Sequence, residues 1–318
     1  MNPRPLPAAL LDTIIRQTSK PVPDGLQPLV AAIRKRFGAS VCAILFYGSC
    51  LRSGNPADGL VDLYILVDSY HQVHHSRLMQ LANAWLPPNV YLLQALTPEG
   101  QKLQAKCALL TLDDFERGTA RWFQSYLWGR FAQPARLVYS LNSQIGQRVH
   151  QAQARAVLRL LKKTLPCMPA TFTTDELWLT ALSLSYGTEL RPESASRPKL
   201  LLEYDRDYYH QLFSGAYSQI EHLEYAASST GRHHNQLSAA ACRQGQWEWK
   251  LRRVQGRLLN VLRLVKSVFT FENGADYVAW KLERHTGQPL EVTPRLRRYP
   301  LIFGWPVLWR LLKEKRLR

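Results

Sequence analysis

Three residues, Gly48, Ser49 and Asp62, have types and a spacing that suit chemistry on phosphates. The Gly-Ser pair follows the apolar run VCAILFY, and after twelve intervening residues the aspartate lies inside a second apolar run, VDLYILV. Glycine lets the backbone approach a phosphate, and its amide and the serine hydroxyl can donate to phosphate oxygens. An aspartate on a rigid strand can hold Mg²⁺ against the same phosphates. The pattern predicts a magnesium-dependent nucleoside triphosphate site.

The order strand, Gly-Ser, loop and strand aspartate is typical of nucleotidyltransferases, but the second strand departs from it. Those enzymes usually carry two carboxylates at alternate strand positions, which point to one face. Here Tyr64 occupies the second position. Asp68 has the same parity as Asp62, but six residues at about 3.3 Å each place it roughly 20 Å away. The alternative interpretation is a strand-to-turn Gly-Ser and a strand-capping aspartate.

The elements that must position these residues alternate between strands and helices in the first third of the chain. Helical spacing covers residues 1–40, and a further helix is predicted over His71–Leu86. Four apolar runs are predicted as strands: VCAILFYG, VDLYILVD, NVYLLQAL and ALLTL. This alternation predicts an α/β (α+β) fold with a mixed sheet.

After Asp113 the pattern becomes helical. Trp122 and Tyr126, four apart on one predicted helix, could pack in the core or stack on a base. The predicted helices cover Ala120–Arg130, His150–Thr164, Asp175–Ser185, residues 200–235 and Trp247–Phe271. We therefore predict a nucleotidyltransferase domain at 1–115, a helical domain at 116–244 that completes the site, and a basic amphipathic C-terminal region at 245–318.

The composition favours a polyanionic partner. The 318-residue chain has 41 Lys and Arg against 24 Asp and Glu, a formal charge of +17, which suits nucleic acid or an anionic lipid surface. Its five cysteines form no CxxC pair, so we expect reduced thiols rather than a zinc site. No run reaches 18 consecutive apolar residues, so we expect no segment to cross a membrane. The positive charge still allows contact with an anionic membrane surface.

The string FYGSC followed by LVDLYILVDSYHQVHH resembles the mitochondrial-type phosphatidate cytidylyltransferases. That family has an aromatic-Gly-Ser, a single strand aspartate, another aspartate six residues on and then a histidine, which Asp62, Asp68 and His74 match. Two further blocks resemble the family: WFQSYLWGRFAQP, ending at Pro134, and SYGTELR, ending at Arg191. The resemblance covers about residues 40–215, and the missing second carboxylate then becomes a family trait.

Two residues in the last block depart from the family pattern, Thr188 for Gly and Glu189 for Asp, and the block expected after His74 has no clear match. The resemblance implies transfer of CMP from CTP to phosphatidate, giving CDP-diacylglycerol and pyrophosphate, with Mg²⁺ between two domains. It places Gly48 and Ser49 on the triphosphate and Asp62 on the metal. The further candidates are Glu189 as a catalytic carboxylate that aids the metal or a bound water, Arg191 and Lys199 on phosphates, and Asp68, His74 and Tyr186 as lesser site residues.

Several of these residues have an alternative interpretation without chemistry. Glu189 and Arg191 could form a surface ion pair, which contributes little to stability. His74 could be an ordinary surface histidine, and Asp68 could cap a strand or helix.

The last 24 residues, RLRRYPLIFGWPVLWRLLKEKRLR, hold eight basic residues around tryptophans and leucines. This composition suits the headgroup region of an anionic bilayer, and the alternative is a basic helix that packs its tryptophans on the protein. We expect a cytoplasmic protein, peripheral on the inner face of a bacterial membrane, because an Arg/Ser-rich leader is absent.

Two other functions fit the same charge. An RNA nucleotidyltransferase would also use a positive surface, but Tyr64 breaks the carboxylate pair that such enzymes ordinarily need, and we expect no nucleic-acid partner. A non-catalytic adaptor could keep the fold without activity. The oligomeric state stays open.

Overall fold

The computed structural model describes residues 5–56, 59–73, 77–98, 100–189, 196–225 and 231–270. The predictions for His74, Arg191 and the tail from residue 295 lie outside these residues. The first part of the chain contains α1 (Ala8–Thr18), α2 (Gln27–Phe37), β1 (Val41–Tyr47), α3 (Ser49–Ser53), β2 (Leu60–Val67), α4 (Tyr70–Val73), α5 (Arg77–Trp85), β3 (Asn89–Leu96), β4 (Lys102–Thr111) and α6 (Leu112–Ala120). The second part contains α7 (Trp128–Phe131), β5 (Arg136–Ser140), α8 (Ser143–Thr164), β6 (Thr171–Thr173), α9 (Thr174–Tyr186), α10 (Arg197–Tyr204), α11 (Arg206–Ala216), β7 (Leu223–Tyr225), β8 (Arg232–Asn235) and α12 (Ala239–Thr270).

A five-stranded mixed sheet in the order β3-β4-β2-β1-β5 forms the centre of the fold. β1 runs antiparallel to both β2 and β5, whereas β2 and β4 are parallel. All seven residues of β1 are buried, because helices cover both faces of the sheet and strands buried on both sides are continuously apolar. The predicted α+β fold with a mixed sheet is confirmed.

The two faces of the sheet pack against different helices. On one face, Leu29 and Ile33 of α2 join a cluster with Ile44, Phe46 and other strand residues. On the other face, residues of β1, β2 and β4 join a larger cluster with α1, α6 to α9 and α11. Because this larger cluster is continuous, the sheet and the later helices share one core. The predicted boundary at residue 115 falls inside α6.

The second part of the chain contains strands as well as helices. Residues 200–235, predicted as helical, end in β7 and β8, which form a small sheet with β6 in the order β6-β8-β7. That prediction was wrong because β8 has the polar sequence RHHN and shows no apolar alternation. The helix predicted over Ala120–Arg130 forms only at its ends: Ala120 ends α6 and Trp128 begins α7, but residues 121–127 are not helical, and β5 follows Pro134.

The long helix α12 lies along the end of α9 and the turn after α8. Two glycines allow the close approach, because a Cβ on Gly245 would overlap Pro166 and one on Gly256 would overlap the carbonyl of Thr188. Trp249 is buried in this contact and donates its indole N–H to the Lys163 carbonyl at 2.7 Å. Within the described residues, no helix is both long and apolar enough to cross a membrane.

Candidate active site

The turn after β1 brings Gly48 against Asp62. Tyr47 and Asp62 are paired across β1 and β2, and Gly48 has φ +92°, a region that side chains disfavour. A Cβ at Gly48 would overlap the Asp62 carboxylate and lie 3.1 Å from its carboxyl carbon. Ser49 follows, exposed, at the first position of α3. The structure therefore brings together the three residues that the sequence predicted.

Lys106 lies beside Asp62 on the neighbouring strand. The two residues are paired in the parallel register of β2 and β4, and both side chains are partly exposed. Tyr64, which stands at the position of the usual second carboxylate, is fully buried in the core. On this face of β2, Asp62 therefore faces a lysine rather than another carboxylate. We call Gly48, Ser49, Asp62 and Lys106 the sheet wall of the site.

A nearly buried ion pair lies beside Tyr47, the strand residue before Gly48. Arg130 of α7 donates from Nη2 to both carboxylate oxygens of Glu189, at 3.0 and 3.1 Å, and the two side chains are only 10% and 14% exposed. The Arg130 guanidinium also lies 5.2 Å from the Tyr47 ring centroid and 5.0 Å from that of Tyr126. Burial alone would lower the pKa of Arg130, but the adjacent carboxylate raises it well above its usual value.

Tyr126 lies among several cations. The Arg263 guanidinium of α12 lies 4.3 Å from its ring centroid. Burial would raise the pKa of the Tyr126 phenol, but Arg130, Arg263 and Lys106 together lower it. A lowered tyrosine pKa reports a positive local potential, which favours an anionic ligand. We call Tyr126, Arg130, Glu189 and Arg263 the helical wall of the site.

The far half of α12 is attached to the turn before β3. Arg263 donates to the Pro87 carbonyl and to Gln124 Oε1, both at 2.8 Å. Lys266 donates to Asn83 Oδ1 at 2.9 Å and to two carbonyl oxygens of the turn, those of Leu86 at 2.7 Å and Pro88 at 3.2 Å. Burial, aided by the charge of Arg263, lowers the pKa of Lys266 to about 7. Helix α12 thus supplies part of the helical wall.

The remaining predicted site residues are Asp68, Lys199 and Tyr186. Asp68 is exposed just beyond the other end of β2, and Lys199 is exposed on α10, 3.8 Å from Glu203. Tyr186 at the end of α9 donates its hydroxyl to Gln133 Oε1 at 3.2 Å.

The donor set at Asp62 suits Mg²⁺ that is shared with a substrate. Among the described residues, no three His, Cys, Asp or Glu side chains are grouped as a metal cage. Mg²⁺ keeps several waters and is commonly held by one or two carboxylates together with substrate phosphates. A single carboxylate that lies against a glycine backbone, where an added side chain would overlap it, fits this mode of binding.

The mixed sheet, the Gly-Ser turn after β1 and the aspartate on β2 beside a positively charged wall define a nucleotidyltransferase. The chain belongs to the family of mitochondrial phosphatidate cytidylyltransferases, whose model matches residues 30–254. These enzymes make CDP-diacylglycerol from CTP and phosphatidate. The family predicted from three sequence blocks is confirmed, and neither the RNA enzyme nor the adaptor gains support. A search of curated proteins finds no match.

Proposed function

We propose that this chain transfers CMP from CTP to phosphatidate at an anionic membrane surface, with Mg²⁺ held by Asp62. The observation that carries the proposal is the close approach of the Asp62 carboxylate to Gly48, where an added Cβ would overlap the carboxylate. This close approach puts a carboxylate that can bind metal beside a glycine turn, and a glycine backbone can come close to a triphosphate. The metal would neutralise charge that develops as pyrophosphate leaves.

The sheet wall takes the nucleotide in this proposal. The backbone at Gly48 and the Ser49 hydroxyl donate to phosphate oxygens, and Lys106 adds a positive charge next to Asp62. In many nucleotidyltransferases a second strand carboxylate helps to hold metal. Here a lysine stands beside the aspartate, and its ammonium group binds phosphate as a point charge.

The helical wall stabilises the reacting groups by charge. An oxygen of the phosphatidate phosphate forms a bond to the α-phosphorus of CTP, and pyrophosphate leaves with the electron pair of the broken bond. A phosphomonoester is already an anionic nucleophile, so alignment and charge neutralisation dominate over base catalysis. Arg130 and Arg263 lie where they can serve this purpose, and Glu189 fixes the position of Arg130.

The outer face of α12 suits an anionic bilayer. Apolar side chains recur there in steps of four and three residues, so they share one side of the helix. The exposed apolar residues are Trp247, Leu251, Val254, Leu258, Val261 and Leu262. Exposed Lys250, Arg253 and Arg257 flank this stripe, and apolar residues bordered by basic ones bind the headgroup region of anionic membranes. The tail from residue 295 is a second proposed membrane contact, on the ground of its sequence alone.

Vesicle flotation tests the membrane part of the proposal. Leu251→Ser with Leu258→Ser should weaken binding to vesicles that contain phosphatidylglycerol, and leave activity on soluble dihexanoyl phosphatidate unchanged. High salt should weaken binding of the unmodified chain, because the basic flank contributes a screened attraction. Binding that survives both the substitutions and high salt would refute this use of α12.

A product assay tests the transfer itself. The purified chain is incubated with α-labelled CTP, Mg²⁺ and phosphatidate in mixed micelles, and the lipid phase is extracted. Labelled CDP-diacylglycerol is expected, with less label from ATP, GTP or UTP and none with Ca²⁺ replacing Mg²⁺. A folded chain that labels RNA ends but no lipid would overturn the assignment.

A further inference from the structure

The segment that joins α6 to α7 is bonded to the helical wall at several points. We call residues 121–127 the connecting segment, and it contains the tyrosine of the helical wall. Gln124 accepts a hydrogen bond from Arg263 at 2.8 Å. The hydroxyl of Ser125 is hydrogen-bonded to that of Thr188, the neighbour of the wall glutamate, at 2.8 Å. The position of the connecting segment therefore affects where several groups of the helical wall lie.

Arg159 of α8 holds the start of the connecting segment. Its guanidinium donates to three successive carbonyls: from Nη1 to Ala120 at 2.8 Å, and from Nη2 to Arg121 and Trp122, both at 2.9 Å. The last carbonyls of a helix have no partner within it, and α6 ends at Ala120. The guanidinium satisfies the carbonyl at this helix end and the two that follow it, and a positive charge suits this end of a helix.

Arg252 of α12 holds the next carbonyl along the chain. Its Nε donates to the Phe123 carbonyl at 3.0 Å, and its Nη2 donates to Glu248. The side chain is 1% exposed, and the guanidinium lies 4.4 Å from the ring centroid of Phe123 and 5.1 Å from that of Trp249. A buried cation is costly unless it is paired, and these contacts offset that cost. We call Arg159 and Arg252 the anchor arginines.

The anchor arginines also lie beside the residue that follows the connecting segment. Both guanidinium groups are 5.8 Å from the ring centroid of Trp128. This tryptophan is fully buried and donates its indole N–H to the Trp122 carbonyl at 3.0 Å. It begins α7, which carries Arg130 two residues later. The anchor arginines thus hold the connecting segment at its start and immediately after its end.

We propose that Arg159 and Arg252 are positioning residues of the transfer reaction, which fix Tyr126 and Arg130 in the helical wall by holding the connecting segment. This inference rests on the proposed function. Residues 121–127 are neither helix nor strand, so their backbone groups depend on partners from other elements. A misplacement of about 1 Å in a group that acts on the reacting atoms can lower a rate about 100-fold. The anchor arginines therefore influence the reaction through the segment rather than by binding a substrate.

Steady-state kinetics with soluble dihexanoyl phosphatidate test this assignment without a membrane. Arg159→Met should lower kcat per folded chain roughly 10- to 100-fold. The KM for CTP should change little, because the helical wall acts on the reacting groups rather than on nucleotide binding. Arg159→Lys should recover part of kcat, because it keeps the charge and a donor but not the fork. Arg252→Met with Glu248→Leu, which removes that ion pair as a whole, should give the same split between kcat and KM.

Arg148→Met is the matched control. Arg148 lies on the same helix as Arg159 and also donates three hydrogen bonds, to Asp113 and to both carboxylate oxygens of Glu116, at 2.8–2.9 Å. Its partners lie in the first half of α6, away from the connecting segment. Both variants should lose some stability, whereas kcat per folded chain should fall for Arg159→Met alone. An equal fall in the two variants, or an unchanged kcat in Arg159→Met, would overturn the proposal.

Hydrogen exchange gives an arm that needs no turnover. Amides of a peptide that spans residues 121–130 should exchange faster in Arg159→Met than in the unmodified chain, and at the unmodified rate in Arg148→Met. Unchanged exchange in Arg159→Met would overturn the proposal. If the unmodified chain forms no CDP-diacylglycerol, the proposed function fails, and faster exchange in Arg159→Met alone would still show that the anchor arginines hold the segment that carries Tyr126.

Discussion

The sheet wall and the helical wall of the site differ in how the chain assembles them. The Gly48, Ser49 and Asp62 part of the sheet wall comes from two consecutive strands and the turn between them. The helical wall joins Tyr126 and Arg130 to Glu189, 59 residues beyond Arg130, and to Arg263 on the last described helix. A wall made from neighbouring strands is fixed by local backbone geometry, whereas the other depends on packing across the whole core. We therefore expect substitutions in the helical wall to reduce stability most, and substitutions in the sheet wall to reduce activity most.

Breaking the buried ion pair should give the largest loss of stability. Arg130→Met removes the guanidinium that binds the nearly buried Glu189 carboxylate, and breaking such a pair costs on the order of 3–5 kcal/mol in the free energy of unfolding. The double variant Arg130→Met with Glu189→Leu should recover much of that loss, because no lone charge remains. Urea unfolding of the single and double variants measures both values. A single variant as stable as the unmodified chain would show that the pair does not hold the helical wall in place.

A substitution in the turn after β1 should harm activity more than folding. Gly48→Ala forces a side chain onto the Asp62 carboxylate at a positive φ, and we expect a loss of about 1–3 kcal/mol in stability together with a large fall in kcat/KM. Gly54→Ala is the matched control, because Gly54 has φ +72° but no atom within 4 Å of its added Cβ. Both variants carry backbone strain, and only Gly48→Ala should lose activity beyond its loss of folded protein. Equal loss in the two variants would argue against a close-approach role for Gly48.

Replacing the lysine of the sheet wall should weaken nucleotide binding. Lys106→Met should raise the KM for CTP about tenfold, equivalent to 1.4 kcal/mol, with little change in the KM for phosphatidate. Lys102→Met, four residues earlier on the same strand and exposed, should change neither constant. A larger effect on the acceptor would place Lys106 on the other substrate.

The smallest expected effect is a pH dependence at the anchor of α12. The pKa of Lys266 is lowered to about 7 in the folded chain, below its unfolded value, so the unfolded chain binds the extra proton between these two values. Stability should therefore rise with pH above 7, by about 1 kcal/mol per pH unit relative to Lys266→Met. Urea unfolding of both chains at pH 7, 8 and 9 gives this difference. A constant difference would show that Lys266 is not desolvated in its contact with the turn.

The sequence predicted more of the sheet wall than of the helical wall. Gly48 and Asp62 were found because a turn and two apolar strands are local patterns. Lys106 was missed because its position beside Asp62 depends on the register of two strands that are not consecutive in sequence. Glu189 was predicted as a metal ligand from its resemblance to the family sequence. In the structure its carboxylate accepts hydrogen bonds from Arg130, and the metal role stays a prediction.

The sequence also predicted some strands of the fold and missed others. Strands β1 and β2 were predicted because strands buried on both faces are continuously apolar. The small sheet of the second part was missed because its strands are three or four residues long and largely polar.

The most direct test of the account compares two aspartates of one segment in the CDP-diacylglycerol assay. Asp62 and Asp68 are six residues apart with the same strand parity, but only Asp62 contacts the Gly48 turn. Asp62→Asn should lower kcat at least about 100-fold, the scale on which one electrostatic contact to a transition state acts, and Asp68→Asn should leave it nearly unchanged. A folded Asp62→Asn chain that turns over at the unmodified rate would contradict the proposed site.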